Sequence, residues 1–205
     1  MIFVIFSFVI LILSVVIHEV AHGAVADYLG DPTAKMAGRL SLNPVKHLDP
    51  MGSVFIPLIL LIFQSPVLFG WAKPVPINPA NFIDKKYGEA KVALAGPAAN
   101  FILAFVFGMI LRFAPLTFGL YNLFSYVVFI NLVLFLFNLI PIPPLDGSHL
   151  LFTFLPESAI TREIRIFLTQ YQFFILIFVV FVLFRFLGPL ISLIYKLLVG
   201  MPIIF

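Results

Sequence analysis

Residues 18–22 read His-Glu-Val-Ala-His, an H-E-x-x-H pattern. On a helix four residues advance by about 400°, so His18 and His22 project from one face, one turn apart. Two imidazoles placed in this way are suited to bind one metal ion, and Glu19 stands close enough to take a proton from a metal-bound water. The pattern therefore predicts a hydrolytic metal site with Glu19 as general base. The alternative is that these side chains only form hydrogen bonds between helices.

A third metal ligand has to come from elsewhere, because zinc in hydrolytic sites commonly has three protein ligands and a water. The chain has no cysteine, which leaves histidines and carboxylates as the strong candidates. Asp146 follows a proline-rich segment and precedes Gly147, which permits a tight turn. Taken alone, Asp146 is equally well explained as a ligand and as a turn or cap residue. His149 and His47 are the rival ligands, although an interfacial or a loop role explains them better.

Two asparagines lie in or beside apolar segments. Asn100 ends the sequence LAGPAAN at 94–100, and Asn138 begins the sequence NLIPIPPLDG at 138–147. Small residues in a membrane helix allow neighbouring helices to approach closely. Each amide can hydrogen-bond a substrate backbone or form a buried hydrogen bond between helices, and the sequence leaves both interpretations open.

The composition is that of a membrane protein. Hydrophobic residues make up 62% of the 205 residues and charged residues 10%, far from the balance of a soluble domain. A bilayer core of about 30 Å takes roughly 20 apolar residues per helix, so we expect about five to six membrane segments and no separate soluble domain. Apolar runs occur at about 2–28, 51–69, 90–114, 119–141 and 166–187, with a shorter one near 189–205. Since helices satisfy their own backbone groups in lipid, the predicted fold is an all-α polytopic membrane protein.

The basic residues predict an orientation in the membrane. Seven of the twelve lysines and arginines flank the 51–69 run on both sides: Lys35, Arg39, Lys46, Lys73, Lys85, Lys86 and Lys91. A single crossing by this run would place two basic loops on opposite faces, against the usual excess of positive charge in the cytoplasm. Pro57 and Gln64-Ser65-Pro66 can turn the run back, so we predict a re-entrant segment. Residues 2–28 then run from outside to cytoplasm, 90–114 run out, 119–141 return, and 142–165 are cytoplasmic.

Two connecting segments have patterns of their own. Polar and apolar residues alternate from Gly38 to Pro44, which predicts a short β-strand at 39–42 near the cytoplasmic face. The proline-rich sequence at 71–82 predicts an extended, ordered loop at the membrane interface, with a simple connector as the alternative. The first apolar run lacks a basic leader and a small-residue cleavage site, so we expect it to be retained as a span.

The combination of HEVAH at 18–22, AGPAAN at 95–100 and NLIPIPPLDG at 138–147 resembles the site-2 protease family of intramembrane zinc metalloproteases, peptidase family M50. The match spans about residues 14–150. The sequences GRLSLNPVKHLDPMGS at 38–53 and GWAKPVPINP at 70–79 further resemble the compact members without PDZ or CBS domains. One departure is that the first helix begins at Met1, so the span that larger relatives carry before the zinc motif is not expected.

The resemblance implies that His18, His22 and Asp146 bind one zinc ion and that Glu19 activates a water molecule. It implies a single integral-membrane metalloprotease domain over 1–205. In this domain a catalytic core at about 1–150 is built on the helices 2–28, 90–114 and 119–141, and further membrane helices lie at about 160–205.

The activity implied by the resemblance is cleavage of a peptide bond within or near a transmembrane segment of a membrane protein, in regulated proteolysis or in clearance of remnants. Asn100 and Asn138 would help to hold this substrate, and the 39–42 strand would pair with its unwound backbone. The expected location is the plasma membrane, with the site towards the cytoplasm. The net charge of +3 reflects the orientation bias, so no nucleic-acid partner is expected. Homo-oligomerisation and a gating partner are left open.

Three other functions compete with a protease. A metal-ion transporter or metal-binding membrane protein would use the same cluster, but a pathway needs polar residues across the whole membrane depth, and here they gather at one depth. A di-iron oxidase needs more ligands than four histidines and a few carboxylates at these spacings provide. A catalytically silent homologue is disfavoured because the predicted ligands and Glu19 are all present.

Overall fold

The computed structural model describes residues 2–63 and 72–203. In this part of the chain the regular elements are helices: α1 (Ile2–Tyr28), α2 (Thr33–Met36), α3 (Ile56–Ile62), α4 (Gly88–Phe113), α5 (Phe118–Asn138), α6 (Asp146–Phe154), α7 (Ala159–Gln170) and α8 (Gln172–Val199). Turns of 3-10 helix lie at Pro44–His47 and Pro79–Asn81, and a π-helical turn at Pro50–Phe55 leads into α3.

Three helices of the described chain are long and apolar enough to cross a membrane: residues Ile5–Tyr28 of α1, α4 and α5. Their bounds lie within about three residues of the predicted apolar runs. The α4 helix packs against both α1 and α5. The prediction of an all-helical membrane protein is confirmed.

The α8 helix packs on α4 and α5 through an apolar core. Leu132 and Tyr195 are fully buried there, and the Tyr195 hydroxyl lies 2.5 Å from Ser125 Oγ. Gly108 makes room for Leu198, since a Cβ at that glycine would lie 3.1 Å from Leu198 Cβ. These contacts support the α4 and α5 pair on the side where α8 packs.

The apolar run 166–187 and the beginning of the run near 189–205 lie largely in one helix. The α8 helix passes through Pro189 without interruption and ends at Val199, and Gly200 after it has the left-handed φ of 87°. Proline removes one backbone hydrogen bond, yet membrane helices tolerate it because the surrounding helices compensate for the loss. The predicted run also began too early, since the separate helix α7 ends at Gln170.

The strand predicted at 39–42 is not formed. Although these residues are described, they take no regular structure, and the nearest pairing is an isolated antiparallel bridge between Leu48 and Ala72. The physical reason lies in the local hydrogen bonds. The Arg39 N–H donates to Ala34 O, and the Ser41 carbonyl accepts from His47 Nε2, so the segment is tied to its own loop. The turn expected at Gln64-Ser65-Pro66 lies outside the described residues.

The loop that follows Ala72 is anchored by Asp31, whose side chain is fully buried. Asp31 Oδ2 accepts from the Asn78 N–H at 2.7 Å, and Oδ1 accepts from Asn81 Nδ2 at 2.8 Å and from Thr33 N at 3.2 Å. Burial raises the pKa of the Asp31 carboxyl, but these hydrogen bonds outweigh it and hold the pKa below its ordinary value. Asp31 therefore ties the proline-rich loop to the end of α1.

We predict that Asp31→Asn lowers the stability of the protein by about 1–3 kcal/mol, because the new amide group faces donors where an oxygen accepted. The thermal unfolding midpoint in detergent measures this effect. Because the pKa of Asp31 is lowered by folding, the wild type is more stable than Asp31→Asn by the full amount above pH 3.8, the ordinary pKa of the group. This difference in stability shrinks as the pH falls below that value.

The matched control is Asp27→Asn, which removes a partly exposed carboxylate paired with Lys35 at 3.0 Å. Such surface pairs contribute little, so its midpoint should stay near that of the wild type. Equal midpoints for both variants would contradict an anchoring role of Asp31.

Candidate metal centre

Two histidines of α1 and an aspartate that is distant in sequence converge at the beginning of α6. His18 and His22 lie one turn apart on α1, both 7% exposed, with their Nε2 atoms 3.0 Å from each other. Asp146 is the first residue of α6, and its Oδ2 lies 3.1 Å from His18 Nε2 and 3.3 Å from His22 Nε2. Among the described residues these three form a cluster whose ligand atoms lie within 4.8 Å of one another.

The hydrogen bonds on the far side of each ring define which nitrogen faces the cluster. His18 Nδ1 lies 2.6 Å from Asn100 Oδ1, and His22 Nδ1 lies 2.7 Å from Val92 O. Both partners are oxygens that only accept, so each Nδ1 carries a proton. In the neutral form of each ring the lone pair of Nε2 then faces the centre. This arrangement is the usual second layer around metal-binding histidines.

The charge of Asp146 completes the donor set. Its Oδ2 is buried and accepts no hydrogen bond from the described residues, although it lies within 3.3 Å of both Nε2 atoms. Two nitrogen lone pairs and a carboxylate oxygen therefore face one another in a space that is largely closed to water. Such a set repels itself unless a cation lies between its members, and the nitrogen and oxygen donors suit zinc.

Asn100 supports the imidazole of His18. It is fully buried, and its Nδ2 donates to Asn131 Oδ1 at 2.8 Å and to Ser14 O at 3.3 Å. Asn131 in turn donates to Ser14 Oγ at 3.0 Å, so one polar network links α1, α4 and α5. Of the two interpretations of Asn100, its contacts fit the buried hydrogen bond between helices. Sequence reasoning missed Ser14 and Asn131, for which the cue was a polar residue inside an apolar run.

Asn138 lies at the end of α5 and is half-buried. Its Nδ2 donates to Leu134 O of the same helix at 2.9 Å. The predicted contact between Asn138 and a substrate stays a prediction.

Two glycines make the cluster sterically possible. A Cβ at Gly96 of α4 would lie 2.6 Å from His18 Nε2 and closer still to His22 Nε2. A Cβ at Gly147 would lie 2.5 Å from Ile140 O and closer still to the carbonyl before it. Gly96 therefore lets α4 approach the imidazoles, and Gly147 lets α6 fold back onto the end of α5, which places Asp146.

Glu19 lies under the proline-rich loop. Its Oε2 accepts from the N–H of Val75, a buried residue, at 2.8 Å. The loop is held by Arg39, which is 7% exposed and donates from Nη2 to Lys73 O at 2.6 Å, and by the Lys73 N–H, which donates to His47 O at 2.9 Å. Sequence reasoning missed Arg39, since nothing in its local pattern separated it from the other basic loop residues.

The rival ligands lie apart from the cluster. His47 is buried in its own loop, where its Nε2 donates to Ser41 O at 2.8 Å. His149 is exposed on α6. Neither belongs to the metal-binding group that the described residues form.

Comparison with known proteins places the chain among peptidases. Residues 113–179, which include Asp146, match the sequence model of peptidase family M50. YwhC of Bacillus subtilis, provisionally named a zinc metalloprotease, is 42% identical over 184 residues, which cover 84% of this chain and 78% of YwhC. The chain belongs to peptidase family M50. Membership makes it a zinc metallopeptidase, and the His/His/Asp donor set agrees with that cofactor.

More distant relatives of this M50 chain carry similar names. Rip2 of Mycobacterium tuberculosis, also provisionally named a zinc metalloprotease, is 29% identical over 138 residues, 66% of this chain and 52% of Rip2. Zinc metalloprotease MJ0392 of Methanocaldococcus jannaschii is 30% identical over 146 residues, 70% of this chain and 32% of its own. No solved structure matches the chain. The resemblance inferred from the motifs is confirmed.

We predict that Gly96→Ala weakens zinc binding by about 10- to 100-fold, the range seen when the surroundings of metal ligands are disturbed. The added methyl group overlaps both Nε2 atoms and separates the ligands. Retained zinc after dialysis against a graded series of chelators, determined by elemental mass spectrometry, measures the change.

Gly119→Ala is the matched control, because a Cβ at Gly119 meets no atom within 4 Å. It should retain zinc like the wild type. If Gly96→Ala also retained zinc like the wild type, the metal would not lie between these imidazoles.

Proposed function

We propose that this M50 peptidase hydrolyses a peptide bond within or near a transmembrane segment of a membrane protein. One zinc ion is held by His18, His22 and Asp146, and Glu19 is the general base. The observation that supports this proposal most directly is the convergence of two imidazoles and a carboxylate among helices that are apolar enough to cross a membrane.

The mechanism assigns separate tasks to the residues around the cluster. A zinc ion bound there supplies a Lewis acid and a water of lowered pKa. Glu19 takes a proton from the attacking water and delivers it to the leaving amine. The Val75 N–H on Oε2 holds the Glu19 carboxylate in one orientation, while Asn100 and the Val92 carbonyl hold the two imidazoles in theirs.

The proposed architecture is one membrane domain over 1–205, with a core over about 1–150 and further membrane helices at about 160–205. The helical stretch Pro50–Ile62 has 13 residues, which span about 20 Å and fall short of a bilayer core of about 30 Å. This length and the basic residues on both sides support a re-entrant segment at 51–69. The α8 helix has 28 residues and runs beside α5, which supports a further crossing.

The proposed orientation places the metal site near the cytoplasmic face of the plasma membrane. It rests on the excess of basic residues in the loops 29–50 and 70–89, which adjoin the cytoplasmic end of α1 in this arrangement. Because α4 and α5 are joined by a short turn at 114–117, they run in opposite directions. The carboxyl end of α5 and the Asp146 turn therefore lie at the end of the bundle where α4 begins.

The proposed substrate is a transmembrane protein that presents extended backbone. A helix hides its carbonyls in internal hydrogen bonds, so the substrate has to unwind locally before cleavage. Residues 39–42, which have no regular structure of their own, are proposed to pair with the unwound segment. Asn138 is proposed to contact the substrate, and Asn100 to contribute by holding His18.

We predict about one zinc per chain in the wild type, as expected for a site of three protein ligands. Asp146→Ala should lose this zinc, while His149→Ala and Glu19→Gln should keep it. Glu19→Gln should also cleave a reconstituted transmembrane substrate at least about 100-fold more slowly, because it cannot transfer the proton. Elemental mass spectrometry and a gel-based cleavage assay give the two measurements.

If zinc were lost with His149→Ala and kept with Asp146→Ala, the third ligand would be His149 and not Asp146. Full zinc content together with undiminished cleavage by Glu19→Gln would remove Glu19 from the mechanism. If the zinc-loaded protein in vesicles moved metal ions and cleaved no transmembrane substrate, a transporter would replace the protease.

We predict that Ser41→Pro slows cleavage about tenfold or more without loss of zinc, because proline removes a backbone donor that strand pairing needs. Ser41→Ala is the control, since it removes only the hydroxyl, which accepts from the Asn43 N–H. Equal turnover of Ser41→Pro and wild type would exclude pairing through this segment.

A further inference from the structure

Arg185 is a charged residue within the long apolar helix α8. It lies 13 residues after Gln172 and 14 before Val199, the two ends of the helix. With a rise of 1.5 Å per residue these separations are about 20 Å, well beyond the reach of an arginine side chain towards either end. Arg185 is exposed, and within the described part of the chain it has no hydrogen bond or ion pair.

Contacts of α8 with neighbouring helices set the level of Arg185 in the bundle. Val179 packs with Leu145 beyond the carboxyl end of α5, whereas Tyr195 contacts Ser125 near the beginning of α5. The α8 helix therefore runs antiparallel to α5 along most of its length. Arg185 lies between these two contacts, at the middle of the helix that is proposed above as a further crossing.

After Arg185 the described surface of α8 is apolar and open. Phe186 is 64% exposed and Leu190 is 42% exposed. A Cβ at Gly188 would meet no atom within 4 Å, so there is open space beside it. Pro189 has no N–H to bond the Arg185 carbonyl, which leaves a backbone acceptor at the same level as the guanidinium.

Charged residues within membrane segments rarely face lipid and usually pair with another charge or a polar group. We therefore expect Arg185 to pair with a carboxylate at the middle of the membrane. The chain has nine acidic residues, and none lies on an exposed middle turn of α4, α5 or α8: Glu19, Asp27, Asp31, Asp49, Asp84, Glu89, Asp146, Glu157 and Glu163. Glu19 and Asp146 belong to the metal centre, Glu163 lies within the short helix α7, and the other six lie at helix ends or between helices. A second copy of this chain does not offer the missing charge.

We infer that the face of α8 around Arg185 docks a transmembrane helix of another protein, one that carries an Asp or Glu in the middle of its apolar span. The guanidinium pairs with that carboxylate, and the gap beside Gly188 allows the two helices to approach closely. This inference rests on the proposed crossing of the membrane by α8 and does not depend on the protease chemistry.

The test uses the full chain in phosphatidylcholine vesicles. Because the chain has no cysteine, Met201→Cys provides a single site for a fluorescent donor near the end of α8. The probes are acceptor-labelled peptides with about 20 apolar Leu and Ala residues between terminal lysines, with a central Glu, Gln or Leu. Energy transfer at increasing peptide density gives the affinity at mildly alkaline pH.

We expect the Glu peptide to bind the wild type about tenfold more tightly than the Leu peptide, a preference in the range of polar contacts between membrane helices. Arg185→Leu and Arg185→Gln should abolish the preference. Arg185→Lys, which keeps the charge, should retain part of it. Arg162→Gln removes an exposed arginine of α7 and is the matched control, with the preference unchanged.

Equal binding of all three peptides to the wild type would overturn the inference and indicate that lipid phosphate satisfies Arg185. A preference for Glu that survives in Arg185→Leu would also overturn it. Energy transfer can also be measured between donor- and acceptor-labelled copies of the chain. If this transfer fell in Arg185→Leu, the occupant of the α8 face would be a second copy of the chain and not another protein. Zinc content is measured on the same samples, so failure of docking is distinguishable from failure of the proposed metal centre.

Discussion

Two imidazoles and a carboxylate are held within 4.8 Å of one another among apolar helices, and the rest of the structure serves this arrangement. In lipid or in a helix bundle each of these groups is costly to bury unless its hydrogen bonds and its charge are satisfied. The structure satisfies the outer nitrogen of each imidazole with a protein oxygen and turns the inner nitrogen towards Asp146. A cation at the centre would balance the charge of Asp146.

The position of the cluster depends on close helix contact as much as on polar groups. Gly96 allows α4 to lie against the two imidazoles, and the same helix supplies Asn100 and the Val92 carbonyl that orient them. A bulkier α4 would move both hydrogen-bond partners away together. The buried amides of Asn100 and Asn131 then bind the three central helices to one another.

The loop after Ala72 orients Glu19 through a chain of hydrogen bonds. Asp31 holds the far end of the loop, Arg39 holds its beginning, and the Val75 N–H donates to Glu19. The loop thus connects Asp31 and Arg39 with Glu19, the proposed general base. It also explains why a basic residue such as Arg39 is buried, since its guanidinium binds backbone carbonyls.

Features that depend on local periodicity could be predicted from the amino-acid sequence. The spacing of His18 and His22 places both rings on one face of any helix, and the long apolar runs predicted α1, α4 and α5 nearly to their ends. The motifs were also sufficient to identify the family. The composition identified a membrane protein, because the bilayer admits few alternatives to apolar helices.

Features that depend on packing between distant segments became clear from the fold. Asp146 lies 124 residues after His22, and its sequence alone is equally compatible with a turn residue until the fold brings it to the imidazoles. Asn100 looked like Asn138 in sequence, yet the fold buries the first against His18 and leaves the second half-exposed on its own helix. The continuity of α8 through Pro189 likewise depends on its neighbours, since a proline removes a local hydrogen bond and only the surrounding helices can compensate for it.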